Sequence, residues 1–121
     1  MVLEPRTRMP ARGMRISVSA PVAVVAGSLA LGLLSLLLPS APTYDPFAWI
    51  IWGREITQLD LNTVDGPSWK PLPVIVTTLT APLGEASPFI WLAVARAGAI
   101  AGVVLAWMLA ARLAGWAAGL V

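Results

Sequence analysis

The sequence predicts an all-α membrane protein with two transmembrane helices, the start of a third, and an outer loop carrying an amphipathic interfacial helix. Three observations predict it. Residues of the AVILMFWYC set make up 58% of the chain and charged residues 12%, against about 45 to 50% and about 25% in soluble domains. Two long stretches are apolar enough to cross a bilayer, and the segments flanking them carry unequal charge.

Composition also excludes chemistry. With no Cys and no His, disulfides, thiolate nucleophiles, zinc sites built on those ligands and imidazole acid–base catalysis are all absent. The net charge of +2 is too small to neutralise a run of phosphates, so nucleic acid is not an expected partner. What remains for chemistry is carboxylates, arginine, one lysine and hydroxyls.

Taken in order, residues 1–16 form a basic N-terminus with Arg6, Arg8, Arg12 and Arg15. Between Arg15 and Asp45 lie 29 residues without a formal charge, and the apolar part, 17–38, reaches ~33 Å as a helix, enough for a bilayer core. A cleavable signal peptide would share the basic start. Its apolar region, however, is roughly 7 to 15 residues long, and Ser40-Ala41 lies between two prolines, a poor cleavage site, so an uncleaved helix is expected. A second span follows at 88–111, interrupted only by Arg96, with Trp91 and Trp107 near its ends as interfacial aromatics. Residues 112–121 open with Arg112 and continue with nine apolar residues, too few to cross, so they read as a cytoplasmic turn and a third helix cut short.

The loop between the spans, 39–87, carries Arg54 and Lys70 against Asp45, Glu55, Asp60, Asp65 and Glu85. The positive-inside rule then puts the N-terminus in the cytoplasm and this loop outside, in a multi-pass protein of the plasma membrane. The loop is the expected seat of function.

Within the loop, Asp45-Pro46 reads as an N-cap followed by a proline at the first helical position, opening a helix over 46–59. Trp49, Trp52, Ile56 and Leu59 share one stripe of it, which predicts a helix lying on the membrane surface, with Trp49, Trp52 and Trp69 as interfacial aromatics. Gly53 weakens this helix by about 1 kcal/mol relative to alanine and marks a close approach of another helix or a ligand. Asp65-Gly66-Pro67 is a turn, and Trp69 to Pro73 is expected to be extended, presenting Lys70. The short apolar run at 73–83 cannot cross a bilayer and reads as a second interfacial or re-entrant segment packed on the first.

Few residues offer chemistry. Asp45 is held at the membrane face, either as a plain helix cap or as a functional carboxylate. Lys70, the only lysine, suits an anionic headgroup or simply snorkels. Arg96, inside an apolar helix, is a candidate for the same surface. Asp60 and Asn62 form a D-x-N pair that a divalent ion can use, but a helix-ending turn is the commoner meaning. Glu55 and Arg54 read as a solvated pair. No metal or other cofactor is called for.

In sequence order the loop shows Asp45, then Gly53-Arg54-Glu55-Ile56, Leu59-Asp60-Leu61, and Trp69-Lys70-Pro71-Leu72. This order resembles the start of the GT-C membrane glycosyltransferases, especially the aminoarabinose transferase and protein mannosyltransferase-like branch. Those proteins show an Asp-Glu pair, an Ala-Arg-Glu-Met element, a Gly-Asp-Trp element and Lys-Pro-Pro-Leu. Arg96-Ala97-Gly98-Ala99 and Ala111-Arg112-Leu113-Ala114-Gly115 resemble two later elements of the family. The likeness runs over roughly residues 44–115. It implies that Asp45 is the general base on an acceptor hydroxyl, that Lys70 and Arg96 face the phosphate of a polyprenyl-phosphate-linked sugar, and that positive charge there stabilises the departing phosphate. Pro46 stands where the family has Glu, and a single proline follows Lys70. The first departure puts metal assistance in doubt. Because the family's sites are closed by further helices, this chain is expected to be the N-terminal part of such an enzyme and inactive alone. Its partners would be the bilayer, the lipid-linked sugar, and the remainder of the enzyme or a partner membrane protein. The alternative is a small non-enzymatic membrane protein that serves as a partner subunit.

Overall fold

The computed structural model describes residues 19–120, all of its regular structure helical and no strand among them. The basic N-terminus, 1–16, lies outside the described residues. Helix α1 spans Ser19–Leu34 and runs on as a 3-10 turn over Ser35–Leu37; α2 spans Tyr44–Gln58, α3 spans Pro71–Thr80, and α4 spans Ser87–Ala114. A 3-10 stretch, Ala81–Ala86, joins α3 to α4, and another, Trp116–Leu120, follows the break at Gly115. The third helix expected beyond Arg112 is therefore only this short turn within the described residues.

Two of these segments are long and apolar enough to cross a membrane: Ser19–Leu37, with mean hydropathy 2.1, and the continuous helical stretch Pro71–Ala114, with 2.0. Gly84 divides the latter. Its φ of 59° and ψ of −121° lie where only glycine is at ease, so α3 and α4 are separate helices. Of the two, only α4, 28 residues or ~42 Å long, has the reach to span.

α1 and α4 form an antiparallel stem. Pro21 lies near Leu105, Met108 and Arg112, while Gly32 lies against Ala93 and Ala97. The seam is built from small residues: Ser28, Gly32, Ala93 and Ala97 are buried, and a Cβ on Gly32 would come within 2.5 Å of the Ala93 carbonyl oxygen. Large side chains such as Leu31, Leu33, Val103 and Leu109 point outward. Arg96 locks the stem. Its Nη1 donates to the Ser35 carbonyl oxygen at 3.0 Å and to Ser35 Oγ at 2.9 Å, placing a cation where the α1 helix ends and its carbonyls need partners.

α4 continues past the end of α1, and on this overhang sits the head, α2 packed against α3. Its core is Trp49, Ile50, Trp52 and Val74 with Trp91 from the first turns of α4. Gly53 permits the pairing. A Cβ there would lie 2.5 Å from the Thr77 carbonyl carbon, so the two backbones touch, which is the close helix approach the glycine implied. Thr77, wholly buried at 0% exposure, clasps them by donating from Oγ1 to the Trp49 carbonyl oxygen at 2.6 Å.

Several expectations need correction. Asp45 is not the N-cap: Thr43 is, and Asp45 stands inside the first turn of a helix that begins at Tyr44. The stripe assigned to the membrane surface is turned inward, with Trp49 and Trp52 buried against α3 and α4 because a second helix was available to cover them. Trp91, expected at a membrane interface, is core as well. Leu59 lies beyond α2 in left-handed backbone, φ 59°, and is 95% exposed. Pro71 opens α3 instead of holding the chain extended, because a proline at a helix start loses no hydrogen bond. The outward apolar stripe belongs to α3, where Leu72, Ile75 and Leu79 are exposed at i, i+3 and i+7.

Candidate functional site

Two of the residues singled out from sequence meet. Asp45, in the first turn of α2, and Lys70, the N-cap residue of α3, approach to 3.9 Å between Oδ2 and Nζ. They are 25 positions apart, and the α2–α3 pairing through Gly53 and Thr77 is what brings their ends together. At 49% and 43% side-chain exposure for Lys70 and Asp45, the pair is solvated and loose, of little worth to stability. Lys70 Nζ also stands 4.9 Å from the centroid of the Trp49 ring, within reach of its negative face. Trp49 is held in turn by the edge of Trp91, ring centroids 5.7 Å apart at 80°. Trp49 Nε1 is buried without a hydrogen-bond partner among the described residues, so this ring serves through its faces.

Beside Lys70 runs an apolar groove of about 280 Å³ between α2 and α3, lined by Ile56, Trp69, Pro71, Val74, Ile75 and Leu79 together with Thr78. Trp69 is half-exposed and leans on Trp52, centroids 5.4 Å apart. A cation next to an apolar trough is an arrangement that takes an anionic headgroup with a hydrocarbon chain.

Arg96 does not join this pair, since its guanidinium donates to the carbonyl and hydroxyl oxygens of Ser35. Asp60 and Asn62 form a turn: the Leu59 and Asp60 amides close α2 on Ile56 and Glu55, and Asn62 Oδ1 accepts the Val64 N–H at 3.0 Å. Among the described residues no group of three or more acidic side chains could hold a metal ion. Glu55 and Arg54 are not paired. Glu55 Oε2 accepts the Asn62 N–H, and Arg54 Nη2 donates to the Gly84 carbonyl oxygen, tying α2 to the bend before α4.

Sequence reasoning missed Thr77 and took Trp91 for an interfacial aromatic. A threonine in an apolar run and a tryptophan near the start of a span carry no local signal that they hold a helix pair together.

No family model, curated protein or solved structure matches this chain.

Proposed function

We propose that the chain is the N-terminal part of an integral-membrane glycosyltransferase that draws its sugar from a polyprenyl-phosphate carrier. The observation that carries this reading is the meeting of Asp45 with Lys70 beside the apolar groove. The resemblance requires a carboxylate and a lysine in one site, and nothing in their spacing of 25 residues brings them together by itself. In this reading Lys70 turns from Asp45 to the lipid phosphate, and the groove receives the first part of the hydrocarbon chain. Asp45, relieved of its cation, accepts the proton of the acceptor hydroxyl as that oxygen attacks the anomeric carbon and the phosphate departs. Arg96 serves the stem and not the phosphate. The stem spans the plasma membrane with the N-terminus in the cytoplasm and the head outside.

The test is sugar transfer from the lipid-linked donor in membranes holding the protein encoded by the whole reading frame. Asp45→Asn is expected to lower transfer by at least about a hundredfold while membrane insertion is unchanged. Transfer retained in this variant contradicts the reading.

A second reading, a non-enzymatic subunit of a membrane assembly, is favoured by the exposed stripe of Leu72, Ile75 and Leu79 on α3. It predicts that Asp45→Asn and Lys70→Met are each tolerated, whereas substitutions along that stripe abolish association.

A further inference from the structure

The face of α2 turned away from α3 lines a second cleft. The segment after α2 folds back over this face as a strap, held at three points. Trp52 Nε1 donates to the Asn62 carbonyl oxygen at 3.0 Å, the Asn62 N–H donates to Glu55 Oε2 at 3.1 Å, and the Tyr44 hydroxyl donates to the Asp65 carbonyl oxygen at 3.2 Å. Gly66 rests on the Trp52 ring, where a Cβ would run into the ring carbons. Between strap and helix lies a cleft of about 460 Å³ with Tyr44, Phe47 and Trp52 among its walls, a volume in the range of small-molecule sites.

Its polar rim is one-sided. Glu55 and Asp65 are its acidic lining residues, and Asn62 and Tyr44 have already spent a donor each on the strap. Among the described residues no cation balances these acids: the sole ion pair there is Lys70 with Asp45, on the other side of α2, and Arg54 donates to the Gly84 carbonyl oxygen. The Asp65 carboxylate accepts no hydrogen bond from any described residue, and Glu55 keeps one oxygen uncommitted. Aromatic walls under unpaired carboxylates complement a positive charge carried on an apolar body, through charge-assisted hydrogen bonds and ring faces together. The same rim repels an anion.

We propose that this cleft binds a small organic cation, an ammonium group on an apolar or ring-shaped body, with Asp65 and Glu55 receiving the charge, Tyr44 and Phe47 the body, and the edge of Trp52 as its floor. The site is separate from the Asp45–Lys70 pair and stands whether or not the chain belongs to a glycosyltransferase.

The probe is 2-phenylethylammonium, compared with the neutral 2-phenylethanol and the anionic 3-phenylpropionate. Each is titrated into the purified full chain in detergent micelles while the indole N–H resonance of Trp52, assigned through Trp52→Phe, is followed. The ammonium compound is expected to shift this resonance saturably and the other two not. Asp65→Asn removes a charge but leaves the carbonyl that Tyr44 holds, and it is expected to weaken binding about tenfold. Glu85→Gln makes the same charge change outside the cleft and is expected to leave binding unaltered. Equal shifts with all three compounds, or equal losses in Asp65→Asn and Glu85→Gln, overturn the proposal.

Discussion

The stem and the head are packed by opposite rules. In the α1–α4 stem the large side chains face outward and the seam is Ser28, Gly32, Ala93 and Ala97. In the α2–α3 head three tryptophans, an isoleucine and a valine face inward. On the proposed reading the stem is surrounded by lipid and gains nothing by burying leucine, because lipid tails are as apolar as leucine, so its helices associate through close backbone approach and hydrogen bonds such as Arg96 to Ser35. The head gains from removing aromatic surface from water and from the edge-to-face contact of Trp49 with Trp91. On that reading one chain of 121 residues uses two solvents.

The difference is sharpest for large-to-small changes. Trp49→Ala removes the ring that both Trp91 and Lys70 rest on and is expected to cost about 3 to 5 kcal/mol. Near-ultraviolet circular dichroism should collapse while far-ultraviolet helicity, much of it in the stem, is mostly retained. A merged loss of both signals would mean that head and stem are one cooperative unit.

Adding a methyl also separates the two regions. Gly53→Ala drives a Cβ into the Thr77 backbone and is expected to cost about 1 to 3 kcal/mol. Gly98→Ala, on the open side of α4 with nothing within 4 Å, is expected to be neutral or to gain up to about 1 kcal/mol from helix propensity. Thermal midpoints in one detergent decide both, and equal effects at the two glycines would remove the claim that α2 and α3 touch at Gly53.

Arg96→Met tests the stem's lock. Losing a cationic donor to the end of α1 is expected to cost about 1.5 kcal/mol, with no change in any ligand affinity of the head. Smallest is Leu59→Gly. A leucine at φ 59° and 95% exposed gives little by packing, so relieving its left-handed backbone is expected to gain about 0.5 kcal/mol.

How much of this was legible in the sequence follows from the range of each signal. The two long apolar helices were, since span length and charge-free runs are local properties. Helix α2 was legible from its turn residues and its periodic stripe, and Gly53 gave notice of a close neighbour. What periodicity cannot say is what covers a stripe. Trp49 and Trp52 look the same facing a lipid headgroup or facing α3, and only the position of α3 decides. For the same reason Asp45 and Lys70 could be named but not paired by spacing, and Arg96 was grouped with them although Ser35, 61 residues away, claims it. The cleft under the strap was invisible because its carboxylates, Glu55 and Asp65, belong to a helix and a turn that read as ordinary solvated segments.

The most direct test of the two-solvent account uses the absence of cysteine from the chain. Val64→Cys in the head and Val103→Cys in the stem replace residues that are 85% and 72% exposed, so protein packing shields neither. Intact cells making each variant are treated with a membrane-impermeant maleimide. The account predicts that Val64→Cys is labelled and that Val103→Cys is labelled only after the membrane is dissolved. Labelling of Val103→Cys at the rate of Val64→Cys in intact cells would show water around the stem and contradict it.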